Sequence, residues 1–289
     1  MLNIQKILLP VVLTDTFRHV IQQAACLARR FHAEVILLHV VPPLSYPAGV
    51  LESGHEITAR DLHAHIVQRA EKDLDQALRP ELDGIAVTRV LLRGDPAREI
   101  VKTARDHDVD LIMMSTHGLG AFYRFLLGSV TAKVLHESHC PVWTGAHLEE
   151  VPTHEFSIRH VVCSVDLSPH AAAPRRWPQR WPWLPRQRLR SSTSRPVSRS
   201  GVPADPMSTP LWKEMIVGSA TKGIAQLQQD LGTKAEVDSG NVPELLNRAA
   251  EQARADVMVV GRSPGRNHLG DNGEGYGIIR ESHLPVLSV

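Results

Sequence analysis

The chain has 289 residues, of which 43% are hydrophobic, and its 32 lysines and arginines nearly cancel its 31 aspartates and glutamates, for a net charge of +1. That length fits two ordinary domains or one large one, and the apolar share allows real cores. The charge balance excludes a general attraction to nucleic acid or to an anionic membrane surface.

Met1 to Lys6 lacks the charged start and long apolar run of a signal peptide, and no stretch approaches the ~20 apolar residues of a membrane span. Cys26, Cys140 and Cys163 are widely spaced in apolar surroundings. They read as buried thiols of a reducing compartment, not as a disulfide frame or a zinc site. A cytoplasmic location without a resident metal is the expectation.

Ile7 to Leu13 is a continuous apolar run with Pro10 inside it. A run without alternation predicts a strand buried on both faces, as in a parallel sheet. Thr14 and Asp15 can cap the helix that follows, whose inner face is Val20, Ala24, Leu27, Ala28 and Phe31. Val35 to Val41 predicts the second strand, closed by Pro42-Pro43, with His39 as a core histidine whose polar needs are met. Residues 44–57 hold Pro47, Gly49 and Gly54 without periodicity and read as a loop. The next helix points Leu62, Ile66, Ala70, Leu74 and Leu78 inward. His63 and His65 near its start are two apart, which a helix turns to different sides, so they are not a metal pair.

Ala86 to Leu92 predicts the third strand, and Gly94-Asp95-Pro96 a turn that opens a helix with Ala97, Ile100, Val101 and Ala104 inward. Leu111 to Met114 predicts the fourth strand. It stops at Ser115-Thr116-His117-Gly118, where Gly118 can take a positive φ that strains other residues. Nine residues later Gly128-Ser129 opens an amphipathic helix with Val130, Val134 and Leu135 on one face, and Ser129 can cap it. Pro141 to Trp143 predicts a fifth strand. Strands alternating with helices through short links predict an α/β fold with a doubly wound parallel sheet. Ligands of such sheets sit outside the carboxyl ends of the strands, and a glycine turn facing a helix N-terminus suits a phosphate.

The second half copies the first. Gly94 to Ser115 aligns without gaps on Gly240 to Gly261, and Glu137 to Val142 on Glu281 to Val286. Val161 to Ser168 matches the first strand, which places Asp166 opposite Val12. Two tandem domains are therefore expected, 1–146 and 159–289, joined by a linker at 147–158. The copies differ at the loop. The second carries Gly261-Arg262-Ser263-Pro264-Gly265 for the turn and Asn272-Gly273 where the first has Gly128-Ser129. Gly270 to Gly275 includes two acids, which oppose a phosphate, and lacks the ligand spacing of a calcium loop, so it reads as a degenerate copy.

Residues 173–206 break the pattern with eight Arg, seven Pro, five Ser and three Trp, no Lys, no Glu and one Asp. Prolines 174, 178, 182, 185 and 196 forbid the helix expected there, and the second strand of this half is expected to be missing too. The stretch is either a basic linker anchored by Trp177, Trp181 and Trp183, or a segment never selected to fold, as after a local reading-frame shift. Its abrupt boundaries favour the second.

Several of these pieces together resemble the universal stress protein family. They are Ile7-Leu8-Leu9-Pro10, Leu37-Leu38-His39-Val40-Val41, Met114-Ser115-Thr116-His117-Gly118, Gly128-Ser129-Val130-Thr131 and Pro141-Val142. The family's nucleotide motif is Gly-x-x-Gly, nine residues, then Gly-Ser or Gly-Thr, and here Ser115 stands at its first glycine. The resemblance implies ATP binding, as in one branch of the family, with magnesium, and dimers or paired tandem domains. Gly118, Gly128, Ser129 and Val130 would hold the phosphates with Thr131 beside them. The backbone at Val40 and the rim at Pro10 and Met114 would hold adenine and ribose, with Ser115 and Val12 among the site's positions. The family's usual Asp near the end of strand one is Val12 here. The resemblance thus implies a stress-response regulator that binds ATP weakly and is at most a slow hydrolase, since no general base is evident. The alternative is a stress-induced interaction module that binds no nucleotide.

Overall fold

The computed structural model describes residues 4–13, 18–43, 59–116, 127–145, 157–165, 188–192, 235–238, 241–261 and 274–289. They fall into two compact units, the first made of Ile4–Ser115 and Ser129–Val142, the second of the rest of the chain. Among the described residues no helix is long and apolar enough to cross a membrane.

In the first unit the strands are β1 (Lys6–Pro10), β2 (Glu34–Val41), β3 (Val87–Arg93) and β4 (Leu111–Ser115), with β5 (Val142–Gly145) where the chain leaves it. The helices are α1 (Arg18–Phe31), α2 (Ala59–Gln76), α3 (Pro96–Asp106) and α4 (Ser129–Glu137). The sheet order β3-β2-β1-β4 is parallel throughout, as the alternation predicts. Ile7, Leu8 and Leu9 of β1 are fully buried, and so are Val35 to Leu38 of β2 and Leu111 to Met113 of β4. Strand β1 stops at Pro10, three residues short of the apolar run, although the Val11 N–H still donates to the Leu38 carbonyl at 2.8 Å.

Helix α1 buries Val20, Ala24, Leu27 and Ala28 as expected. It ends at His32, whose φ of 53° is left-handed, with the Ala33 N–H closing on the Ala28 carbonyl at 2.9 Å. Helix α2 departs from the expected stripe. Val67, Ala70 and Leu74 are buried, whereas Leu62 is 41% exposed and Leu78 lies beyond the helix at φ 56°. Steps of four residues gain about 40° each on a 3.6-residue turn, so a stripe drawn at that spacing rotates off the core at its ends. The cluster under α2, Val41, Val67 and Ala70 with Leu13, Ile66 and Leu91, ends one turn short of Leu62. The Arg89 guanidinium of β3 donates to the Leu74 carbonyl in the last turn of α2 and to the Ala77 carbonyl just beyond it, at 3.0 Å each.

The turn before α3 forms as read. Asp95 caps the helix, its carboxylate accepting the Arg98 N–H at 3.0 Å, and Pro96 is the first helical residue. Gly94 adopts φ 147°, and a Cβ there would meet the Glu99 side chain at 3.1 Å.

The second unit holds β6 (Val161–Val165), β7 (Arg188–Ser192), β8 (Ala235–Asp238), β9 (Val257–Val260) and β10 (Val286–Ser288), with α5 (Val242–Ala253) and α6 (Glu274–Glu281). Their order is β10-β9-β6-β7-β8, again parallel. The same hydrogen bonds recur in both units. Asp110 accepts the Gln5 and Lys6 amides at 2.8 and 2.9 Å, and Asp256 accepts those of Arg159 and His160 at 2.6 and 2.8 Å. Pro141 accepts from Ile112 at 3.0 Å, and Pro285 from Met258 at 2.9 Å.

One expectation is corrected here: the second strand of this half is present. Residues 188–192 form β7 between β6 and β8, with Cys163 opposite Leu189 and Leu189 opposite Ala235. Its backbone pairs with β6 on one side and β8 on the other, and those ladder hydrogen bonds come from the main chain and not from its side-chain pattern. The rest of 173–206, Asp166 and residues 262–273 lie outside the described residues.

Asp110→Ala and Asp256→Ala each remove a carboxylate that gathers two strand-leading amides, so each should lower stability by about 1 kcal/mol in urea unfolding. Burial pushes the Cys163 thiol up to about 12. In the folded protein it should resist a thiol reagent at neutral pH and react only after unfolding.

Candidate functional site

Strand β1 lies between β2 and β4, and the strand order reverses at the β1–β4 junction. A crevice is expected at their carboxyl ends, where the chains from the two strands diverge. Pro10 ends β1, Val40 lies one residue from the end of β2, and Met114 and Ser115 end β4, so these four share one rim.

At the β1 exit the backbone is already engaged. Pro10 has no N–H. The Val11 N–H is bound by Leu38, and the Val11 carbonyl accepts from His39 Nδ1 at 2.8 Å. A carbonyl only accepts, so the proton of a neutral His39 belongs on Nδ1. His39 is therefore the core histidine with a satisfied partner that its place in the strand suggests. Val12, the next residue, is 46% exposed.

At the β4 exit Met114 and Thr116 are buried, and Ser115 is half-buried. Helix α4 starts at Ser129, so Gly128 and not Ser129 takes the position before the helix, a correction to the expected serine cap. The Gly128 N–H donates to the Thr116 carbonyl at 2.8 Å. The Thr131 hydroxyl donates to the Ser115 carbonyl at 3.0 Å, and Thr131 is only 4% exposed. Thr131 therefore points inward and fastens α4 to the end of β4. Ser129 is exposed and Val130 half-buried. The first amides of a helix have no acceptor within it, so the first turn of α4 offers N–H groups and the positive end of its dipole. Gly118 lies outside the described residues.

Lys133 is a candidate the sequence reading did not single out. It sits four residues beyond Ser129, hence on the same helix face, and its ammonium is 3.4 Å from the Asp95 carboxylate. The Arg98 N–H above all, and Lys133 with it, hold the Asp95 carboxyl below its usual range. Pro10, Val12, Val40, Met114, Ser115, Ser129, Val130 and Thr131 include no acid and no base. The set can hold an anion with a flat apolar group beside it; it carries no pair for acid–base chemistry.

The model of the Universal stress protein family matches residues 3–144. A universal stress protein of Methanothermobacter thermautotrophicus is 37% identical over 142 residues, which span 48% of this chain and 92% of the relative. One from Methanocaldococcus jannaschii is 32% identical over 138 residues, 48% of this chain and 79% of its own. Among solved structures, a universal stress protein from Archaeoglobus fulgidus superposes with a TM-score of 0.60 at 21% identity, covering 98% of this chain and 95% of its own. A Pseudomonas aeruginosa protein described as functionally unknown gives 0.66 at 16% identity, covering 99% and 92%. At those identities the two structures show a shared fold alone, and they do so along nearly the whole chain.

Thr131→Val should lower stability by about 1 kcal/mol in a denaturant melt, because the Ser115 carbonyl loses its donor, and Thr131→Ser should restore it.

Proposed function

Because the chain belongs to the universal stress protein family, we propose that it is a stress-response protein that binds ATP with magnesium in its first unit and uses occupancy as a regulatory signal. The observation that carries this reading is the Thr131–Ser115 hydrogen bond, which fastens the first turn of α4 to the carboxyl end of β4. That arrangement turns a run of free amides toward the rim where strand order reverses. The amides of Ser129 and Val130, with the exposed Ser129 hydroxyl and Gly118, hold the phosphates, and Gly128, its own N–H held by Thr116, lets them approach the backbone closely. Lys133 adds a positive charge one turn along the helix. Pro10, Val40 and Met114 border adenine and ribose.

Binding is modest in this reading. Val12 replaces a carboxylate, and a lost charged hydrogen bond costs ~1.5–3 kcal/mol, about a tenfold to hundredfold loss of affinity. The second unit is a related copy whose counterpart of Gly128-Ser129 is Asn272-Gly273, and it holds no phosphate. One nucleotide per chain follows.

The test is to denature the purified protein, identify any released nucleotide, and then titrate ATP with magnesium by calorimetry. The expected result is one ATP per chain, lost in Gly128→Asp. Aspartate is a good residue before a helix, so that variant should fold while repelling phosphate. Undiminished binding in Gly128→Asp would sink the site assignment. Absence of heat up to millimolar ATP would leave the interaction module as the better account.

A further inference from the structure

The β1 exit carries an inference about which nucleosides the site accepts, and it rests on the nucleotide reading above. A ribose is distinguished from sugars lacking its hydroxyls by hydrogen-bonding groups that face those hydroxyls; when such groups are unmatched, the analogue is rejected. Three consecutive residues at this exit present no side chain that can hydrogen-bond. Pro10 has no N–H. Both backbone groups of Val11 are engaged within the fold, the N–H with the Leu38 carbonyl and the carbonyl with His39 Nδ1, each at 2.8 Å. Val12 then turns an apolar side chain to solvent at 46% exposure, more than Leu62, the other large apolar residue exposed among those described. The second copy carries Asp166 at the same position of the repeat, so a carboxylate and the Gly128-Ser129 step stand in different copies of the chain.

We infer that the first-unit site reads the phosphates and the base of its nucleotide but not the sugar hydroxyls, and so accepts deoxyribonucleotides as readily as ribonucleotides. The Val12 side chain meets the C–H surface of the sugar, a contact that ribose and deoxyribose make equally. Discrimination then comes from the phosphate end, at Gly128 to Val130, where the sugar has no part.

The experiment titrates ATP and 2′,3′-dideoxy-ATP, each with magnesium, into the full chain and into Val12→Asp by calorimetry. Val12 is exposed, so the aspartate is not forced into a core. The wild-type chain should bind the two nucleotides within about twofold of each other, because no charged hydrogen bond separates them. Val12→Asp should prefer ATP by about tenfold or more, since its carboxylate gains hydroxyl partners that the dideoxy sugar lacks. A wild-type chain that already prefers ATP tenfold overturns this inference and leaves nucleotide binding standing. A wild-type chain that gives heat with neither nucleotide overturns both. A Val12→Asp chain that binds both nucleotides equally also overturns it, because the sugar then does not lie at the β1 exit.

Discussion

Strand β1 is the constraint on which the first unit depends. It has a parallel partner on each side, β2 and β4, and Ile7, Leu8 and Leu9 are buried completely between the layers above and below. Each such side chain contributes roughly 1.5–3 kcal/mol by leaving water, and truncation to alanine in a packed core costs about 2–5 kcal/mol. The Asp110 carboxylate reinforces this by drawing the two amides just before and at the start of β1 onto the turn that leads into β4. With β1 held on both edges and both faces, its carboxyl end has one place to be, and the rim of the site is placed with it.

The rim divides its polar groups between those engaged within the fold and those left at the surface. The Val11 backbone, His39 Nδ1, the Thr131 hydroxyl, the Thr116 carbonyl and the Gly128 amide are turned inward and spent on one another. The exposed Ser129, the first turn of α4 and Lys133 are left at the surface. This separation gives a binding surface a stable geometry, because the groups that set the angle of α4 are not those a ligand would compete for.

The second unit shows how much of this scaffold survives poor sequence. Its first-strand register, Val161 opposite Val257 and Val162 opposite Met258, repeats that of Ile7 with Leu111 and Leu8 with Ile112. The clamp at Asp256 repeats the one at Asp110. The interior position between β6 and β8 is nonetheless filled by Arg188-Leu189-Arg190-Ser191-Ser192, where the first unit has the apolar β2. The backbone ladder accepts that sequence because its hydrogen bonds belong to every residue type except proline, and prolines 185 and 196 fall outside the strand.

By itself the sequence determined the alternation of strands and helices and the parallel sheet. Those features rest on local periodicity and on residue types with narrow conformational uses, which neighbouring residues suffice to express. Only the tertiary structure decided the rest. It turned Thr131 inward and left Ser129 outside, gave His39 the Val11 carbonyl 28 residues away, exposed Leu62, and completed β7 from a stretch that reads as no strand at all. For Thr131, His39 and β7 the deciding partner is distant in the chain, and a hydroxyl, an imidazole or a short polar stretch carries no local mark of which partner the fold will bring to it.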